Sequence, residues 1–143
     1  MSIARGIALL MAIGFASMAW PHHAAAQACK DEESMVEESK KSLVELVTTV
    51  KQESLPDFEK AYHQKNALNK LTFFGISVDS LVKCLEKVAQ DPSTPKEVLE
   101  ASKTRHEASA KLKEKVQQDR DALKALSAPK DAKEYVEKLD EVH

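Results

Sequence analysis

The sequence has few of the residues that build tight turns and aromatic cores. It contains three glycines, five prolines and one tryptophan among 143 residues, and aromatic residues make up 5%. Backbone nests and phosphate-binding loops rely on glycine, and no phosphate loop, dinucleotide-binding fingerprint or Gly-x-Ser-x-Gly elbow occurs. We therefore expect a protein that is not an enzyme and that carries no cofactor.

An excess of charge of one sign is also missing. The chain has 21 basic and 23 acidic residues, a formal net charge of −2, and the two signs are interleaved. Nucleic-acid-binding proteins usually show a basic stripe or patch, so we expect no nucleic-acid partner. His106 and Glu107 begin a zinc-protease motif, but Ala110 stands where its second histidine belongs. We expect no metal site.

Long apolar runs are absent except at the start of the chain. Arg5 is the only charged residue before Lys30, and residues 6–20 are apolar or small. This run is shorter than the roughly 20 residues that a membrane span needs, and Pro21 ends it. We therefore expect no stable membrane insertion.

The start of the chain instead has the pattern of a secretory signal peptide. A basic residue, an apolar run and Ala-x-Ala sites follow one another there. We predict that residues 1–28 are this signal peptide, cleaved after Ala26 or Ala28, and that residues 29–143 form a single helical-bundle domain. The predicted location is secreted and extracellular, or periplasmic in a bacterium.

The two cysteines, Cys29 and Cys84, are predicted to form a disulfide, because cysteines in an exported chain usually pair. On the chain-entropy model this bond stabilises the fold by about 4 kcal/mol. One alternative is a reactive thiol pair, which the spacing disfavours because it is not Cys-x-x-Cys. Another is a lipoprotein acylated at Cys29, although the preceding Ala-Gln-Ala lacks the branched apolar residue of that signal.

Apolar residues beyond Cys29 recur at helical spacing, and no stretch alternates with a period of two as a strand would. The predicted fold class is all-α, a small up-and-down bundle of four to five helices pinned by one disulfide. The predicted helices run over Lys30–Gln52, from about Pro56 to Leu71, from Ser77 to about Ala89, from Pro95 to about Leu126, and from Pro129 onward.

Local signals set the predicted helix ends. Gly75 is expected to end the second helix, since glycine favours a helix C-terminus. Ser77 is expected to cap the third helix. Thr94 is expected to cap the fourth, with Pro95 at its first position and Glu97 closing a capping box.

A set of apolar side chains supplies either the core or the lining of a ligand cavity. The third helix carries the most continuous apolar face, and four aromatic residues cluster before and at its start. The candidates are Phe58, Tyr62, Phe73, Phe74, Leu81 and Leu85.

The long fourth helix has no large apolar residue between Glu100 and Lys111. We expect this middle segment to be an exposed rod, loosely held in the monomer and ordered by a partner. The predicted function is therefore binding, either to a protein partner or to a second copy in a homo-oligomer. The alternative is an extracellular carrier that holds a small apolar ligand or a lipid between its helices. No motif identifies a family.

Overall fold

The computed structural model describes residues 28–60 and 62–141, and all regular structure in these ranges is helical. This confirms the all-α class and the predicted number of helices. Of the predicted signal peptide only Ala28 is described, so that prediction and the domain boundaries stay predictions. The helices are α1 (Lys30–Gln52), α2 (Leu55–Lys60), α3 (His63–Gln90), α4 (Lys96–Ala125) and α5 (Pro129–Glu137), followed by a 3-10 turn (Leu139–Glu141).

The central element is α3, which packs against both α1 and α4. Cys29, directly before α1, is bonded to Cys84 near the end of α3, with an S–S distance of 2.03 Å and a Cα–Cα distance of 5.8 Å. The disulfide is thus confirmed. Because it joins the start of one helix to the end of the other, α1 and α3 run antiparallel, as an up-and-down bundle requires.

The predicted helix boundary at Gly75 is wrong, because α3 runs without a break from His63 to Gln90. A glycine inside a helix costs about 1 kcal/mol relative to alanine. Burial of Leu71, Phe74 and Val78 around Gly75 outweighs that cost, since each side chain contributes about 1.5–3 kcal/mol.

The chain turns earlier than the sequence predicted, at Tyr62, which has a left-handed backbone with φ of 56°. Few residues other than glycine adopt this conformation. The second predicted helix is therefore divided between short α2 and the first turns of α3.

Two predicted helix caps are also wrong. Ser77 is buried inside α3, where its hydroxyl donates to the Phe73 carbonyl at 3.0 Å and pairs with the Ser39 hydroxyl at 2.8 Å. The N-cap of α4 is Pro95, without a side-chain cap hydrogen bond. Thr94 instead donates to the Val88 carbonyl at 2.8 Å, which satisfies one of the last carbonyls of α3.

The main core lies where α1, α3, α4 and α5 meet. A second, smaller group of buried residues, Cys29, Leu81 and Leu85, surrounds the disulfide. The main core contains Leu43, Val47 and Val50 of α1, Leu71, Phe74 and Val78 of α3, Val116 and Leu123 of α4, Ala132 and Val136 of α5, and the flanking Phe58 and Leu139.

The middle of α4 is not an exposed rod, which corrects the prediction made for it. The second and third predicted helices are both shorter than the fourth, whereas α3 has 28 residues and a length of about 42 Å at 1.5 Å per residue, which is enough to cover most of α4. Ser102 and Ser109 of α4 are buried. Small side chains thus let the two backbones pack closely where large apolar residues are missing.

Candidate interaction surface

The structure separates the six candidate core or ligand-lining residues into two groups. Four of them, Phe58, Phe74, Leu81 and Leu85, are buried. The other two, Tyr62 and Phe73, are 76% and 65% exposed, so they are not part of the core.

The exposed aromatics belong to a continuous row on the solvent-facing side of α3. The members within α3 are separated alternately by three and four residues, which keeps them on one helix face, and Tyr62 lies directly before the helix. Ile76 on this row is 54% exposed, next to the 65% exposed Phe73 one turn before it. We call this row the outer stripe, and it consists of Tyr62, Asn66, Asn69, Phe73, Ile76, Ser80, Lys83 and Lys87.

The outer stripe carries no charge from Tyr62 to Ser80, over about five helical turns. Charged residues make up 31% of the chain, so a helix face in contact with water alone would normally include some. Protein interfaces are depleted of charge at their centre and enriched in aromatic residues. Two asparagines and an aromatic–aliphatic pair give this stripe the composition of an interface centre.

A groove of about 730 Å³ runs between α3 and α4 beside the outer stripe. Leu71, Gly75 and Val116 line its inner part, and Ile76 belongs both to the groove and to the stripe. The volume lies within the range of roughly 300–1,000 Å³ that small-molecule sites have. The groove is therefore a second candidate binding site on α3, of a size that suits a small molecule.

Charged side chains at the edge of this groove form ion pairs. Asp79 of α3 accepts hydrogen bonds from Lys113 of α4 at 2.5 Å and contacts Lys83 at 2.6 Å. The hydrogen bond from Lys113, followed by that from Lys83, lowers the pKa of Asp79 below its ordinary value. Asp79 is therefore ionised at neutral pH and links α3 to α4 across the groove.

A buried polar cluster joins α5 to α4 on another side of the bundle. Asp119 is buried, and its carboxylate accepts hydrogen bonds from Lys115 and from the Tyr135 hydroxyl, the latter at 2.8 Å. Burial, together with the hydrogen bond to Asp119, raises the pKa of Tyr135 to about 12. These partners compensate the cost of burying a carboxylate, so the cluster serves to position α5.

The turn between α1 and α3 buries a histidine. His63 stacks on Phe58 with 5.6 Å between ring centroids. Its Nε2 contacts Oε2 of Glu53, but the geometry is not that of a hydrogen bond. This packing places Tyr62 directly before α3 with its ring in solvent.

One group of side chains within the described residues has the proximity of a metal site. The sulfurs of Cys29 and Cys84 and a carboxylate oxygen of Glu32 lie within 4.8 Å of one another. Both sulfurs are bonded to each other, and thiolate is the form of cysteine that binds metals. In the disulfide form this group therefore offers only Glu32 as a ligand, and the expectation of no metal stays a prediction.

The sequence prediction missed Asn66, Asn69, Ile76 and Ser80 as members of a surface. The signal was present, since these residues lie opposite the predicted apolar face of α3 at helical spacing. The predicted boundary at Gly75 places Asn66 and Asn69 in the second helix, Ile76 between the helices and Ser80 in the third, so the sequence does not predict a continuous stripe.

In residues 28–60 and 62–141, no helix combines the length and the hydrophobicity that crossing a membrane takes. The disulfide is typical of an oxidising compartment. Comparisons with protein-family models, with curated proteins and with solved structures find no match to this chain.

Proposed function

We propose that this protein is a secreted, non-enzymatic binding protein that contacts a protein partner through the outer stripe of α3. The observation that carries this proposal is the uncharged, aromatic-containing face from Tyr62 to Ser80, with Phe73 and Ile76 exposed at its centre. Binding energy in protein interfaces concentrates in a few large apolar or aromatic side chains near the centre. Phe73 and Ile76 are positioned to supply it.

Export to an oxidising compartment is supported by two independent features. The start of the sequence has the pattern of a signal peptide, with cleavage proposed after Ala26 or Ala28. The bond between Cys29 and Cys84 is of the kind that persists outside the reducing cytosol. Expression with and without residues 1–28, followed by fractionation, tests the proposal, which requires the full-length chain alone to be exported.

The test of binding uses the purified protein as bait in its native extracellular fluid. The wild type is compared with a Phe73→Ser/Ile76→Ser variant and with Met35→Ser, which removes an exposed apolar side chain of α1 outside the stripe. We expect a protein that the wild type and Met35→Ser recover and that the stripe variant loses. Equal recovery by all three baits would contradict a role for the stripe.

The groove between α3 and α4 supports a second candidate function, transport of a small apolar ligand or lipid. Its volume suits a ligand of that size, and Ile76 is the exposed apolar side chain that lines it. Organic extraction of the purified protein and mass spectrometry test this candidate. A stoichiometric lipid in the extract would favour the carrier function, and its absence would contradict it.

A further inference from the structure

We propose that the outer stripe binds a second copy of this chain, with the two α3 helices antiparallel about a two-fold axis between Phe73 and Ile76. This inference rests on the proposed function and names the partner of the same surface. A two-fold contact uses one patch on both copies, so each residue on one side of the axis meets a residue on the other side. The stripe must therefore be complementary to a second copy of itself that runs in the opposite direction.

The centre of the stripe meets this requirement with apolar contacts. Phe73 of one copy lies opposite Ile76 of the other, and the symmetry makes this contact twice. Both side chains are more than half exposed in the single chain, so their pairing removes a large apolar area from water.

The remaining positions pair without placing like charges opposite each other. Moving outward from the axis, Asn69 faces Ser80, which are both hydrogen-bonding side chains. Asn66 then faces Lys83, whose ammonium can donate to the amide oxygen. At the ends Tyr62 faces Lys87, an arrangement suited to a cation–π contact.

The alternative of two parallel α3 helices is less favourable. In a parallel two-fold pair each residue faces its own copy, so Lys83 would lie opposite Lys83 and Lys87 opposite Lys87. Like charges at such positions are destabilising. Lys83 contacts Asp79 at 2.6 Å in the single chain, and its side chain is 67% exposed, so its ammonium is accessible to a partner.

The size of the contact indicates how tightly the copies associate. From Tyr62 to Lys87 the stripe is about 38 Å long at 1.5 Å per residue, and a helix is about 10 Å wide. The two helices thus bury about 400 Å² on each copy, or roughly half of what a stable complex of standard size buries. We therefore expect a weak dimer that forms reversibly at high protein concentration.

Sedimentation equilibrium of the purified protein from micromolar to millimolar concentration tests association. We expect a reversible monomer–dimer equilibrium in the wild type, and at least a tenfold weaker association in Phe73→Ser/Ile76→Ser. Met35→Ser, outside the stripe, should associate like the wild type. A wild type that remains monomeric throughout the range would overturn the inference.

Charge substitutions at exposed positions test the antiparallel register. Asn66→Glu places a carboxylate opposite Lys83 twice, and we expect the dimer to become about two- to thirtyfold tighter. Asn66→Lys should weaken it by a comparable factor, and adding Lys83→Glu to Asn66→Lys should restore it. Circular dichroism verifies that each variant is folded. Equal effects of Asn66→Glu and Asn66→Lys would show that the register is wrong.

The same variants separate this inference from the proposed function. If the protein stays monomeric while Phe73→Ser/Ile76→Ser still loses a foreign protein in the recovery experiment, the stripe binds that protein and the inference of a second copy is overturned. If neither association nor recovery depends on the stripe, both proposals are wrong.

Discussion

Phe73 and Phe74 are neighbours in the sequence, but in α3 one faces solvent and the other faces the core. Phe74 is fully buried in the core, whereas Phe73 is 65% exposed on the outer stripe. Successive residues on a helix are about 100° apart, so one aromatic can stabilise the fold while the next remains available for binding. Composition alone does not distinguish these two roles.

The first prediction compares these two residues. Phe74→Ala should lower the free energy of unfolding by about 3–5 kcal/mol, because it leaves a cavity in the core. Phe73→Ala should change it by no more than about 0.5 kcal/mol. Urea unfolding of the two variants measures both values. A large decrease in the unfolding free energy of Phe73→Ala would show that this side chain is packed rather than exposed.

The fold class, the disulfide and α1 could be predicted because each depends on local patterns. Apolar residues at helical spacing define α1 from Lys30 to Gln52, and the signal-peptide pattern at the start of the sequence favours pairing of Cys29 with Cys84. The same spacing on α3 correctly indicated that Leu81 and Leu85 are buried.

The boundaries of α2 and α3 could not be predicted in this way, because tertiary packing overrides local preference there. Gly75 is the strongest local signal for a helix end, yet burial on both sides of it keeps α3 intact. The actual turn lies at Tyr62, where the left-handed backbone has no glycine to reveal it. The outer stripe depends on this continuity and was missed for the same reason.

The second prediction concerns the free-energy cost of having a glycine, Gly75, inside α3. A Cβ atom added at this position would lie 3.6 Å from Cγ1 of Val116, which is an ordinary van der Waals contact. Gly75→Ala should therefore raise the free energy of unfolding by about 0.5–1 kcal/mol, since alanine is the better helix former.

The matched control for Gly75→Ala is Ala101→Gly, which places a glycine at an exposed position inside α4. It should lower the free energy of unfolding by a similar amount. If Gly75→Ala destabilises the protein while the control behaves as expected, the close contact between α3 and α4 requires glycine.

The third prediction concerns the disulfide, which closes a loop with a sequence separation of 55. Replacing Cys29 and Cys84 by serine should lower the free energy of unfolding by about 4 kcal/mol on the chain-entropy model. Chemical reduction of the wild type should have the same effect. A reducing agent should leave the unfolding free energy of the double variant unchanged. A change in that value would show that the reducing agent affects stability by a route other than the disulfide.

The fourth prediction uses the raised pKa of Tyr135, which burial and Asp119 shift to about 12. In the unfolded chain tyrosine ionises near pH 10. The folded state therefore holds this proton more tightly, and the associated stability is complete below about pH 10 and decreases as the pH rises towards 12. Tyr135→Phe should remove this part of the decrease in stability at alkaline pH.

Tyr62 provides the control for Tyr135, since the chain has two tyrosines and Tyr62 is exposed. Urea unfolding between pH 9 and pH 12 is measured for the wild type, Tyr135→Phe and Tyr62→Phe, so that the effect of Tyr135 is distinguished from the removal of an exposed hydroxyl. The difference between the unfolding free energies of the wild type and each variant, taken at the same pH, does not contain the contribution of the lysines. Identical pH profiles for Tyr135→Phe and the wild type would mean that Tyr135 titrates alike in both states.

The fifth prediction tests the close packing of α4 on α3. Ser102 is buried, whereas the next residue, Lys103, is exposed. Ser102→Leu should lower the free energy of unfolding by about 1–3 kcal/mol, because the larger side chain forces the two helices apart. Lys103→Leu introduces the same side chain into solvent and should change stability by about 0.5 kcal/mol or less.

Amide hydrogen exchange of the wild type complements these substitutions. Amides in the middle of α4, around Ser102 and Ser109, should exchange as slowly as those around Leu81 in α3, because both segments open only when the helix pair separates. Fast exchange confined to α4, with Ser102→Leu as stable as the wild type, would show that the middle of this helix is loosely held after all. In that case large side chains would be tolerated there because α3 and α4 are not in close contact.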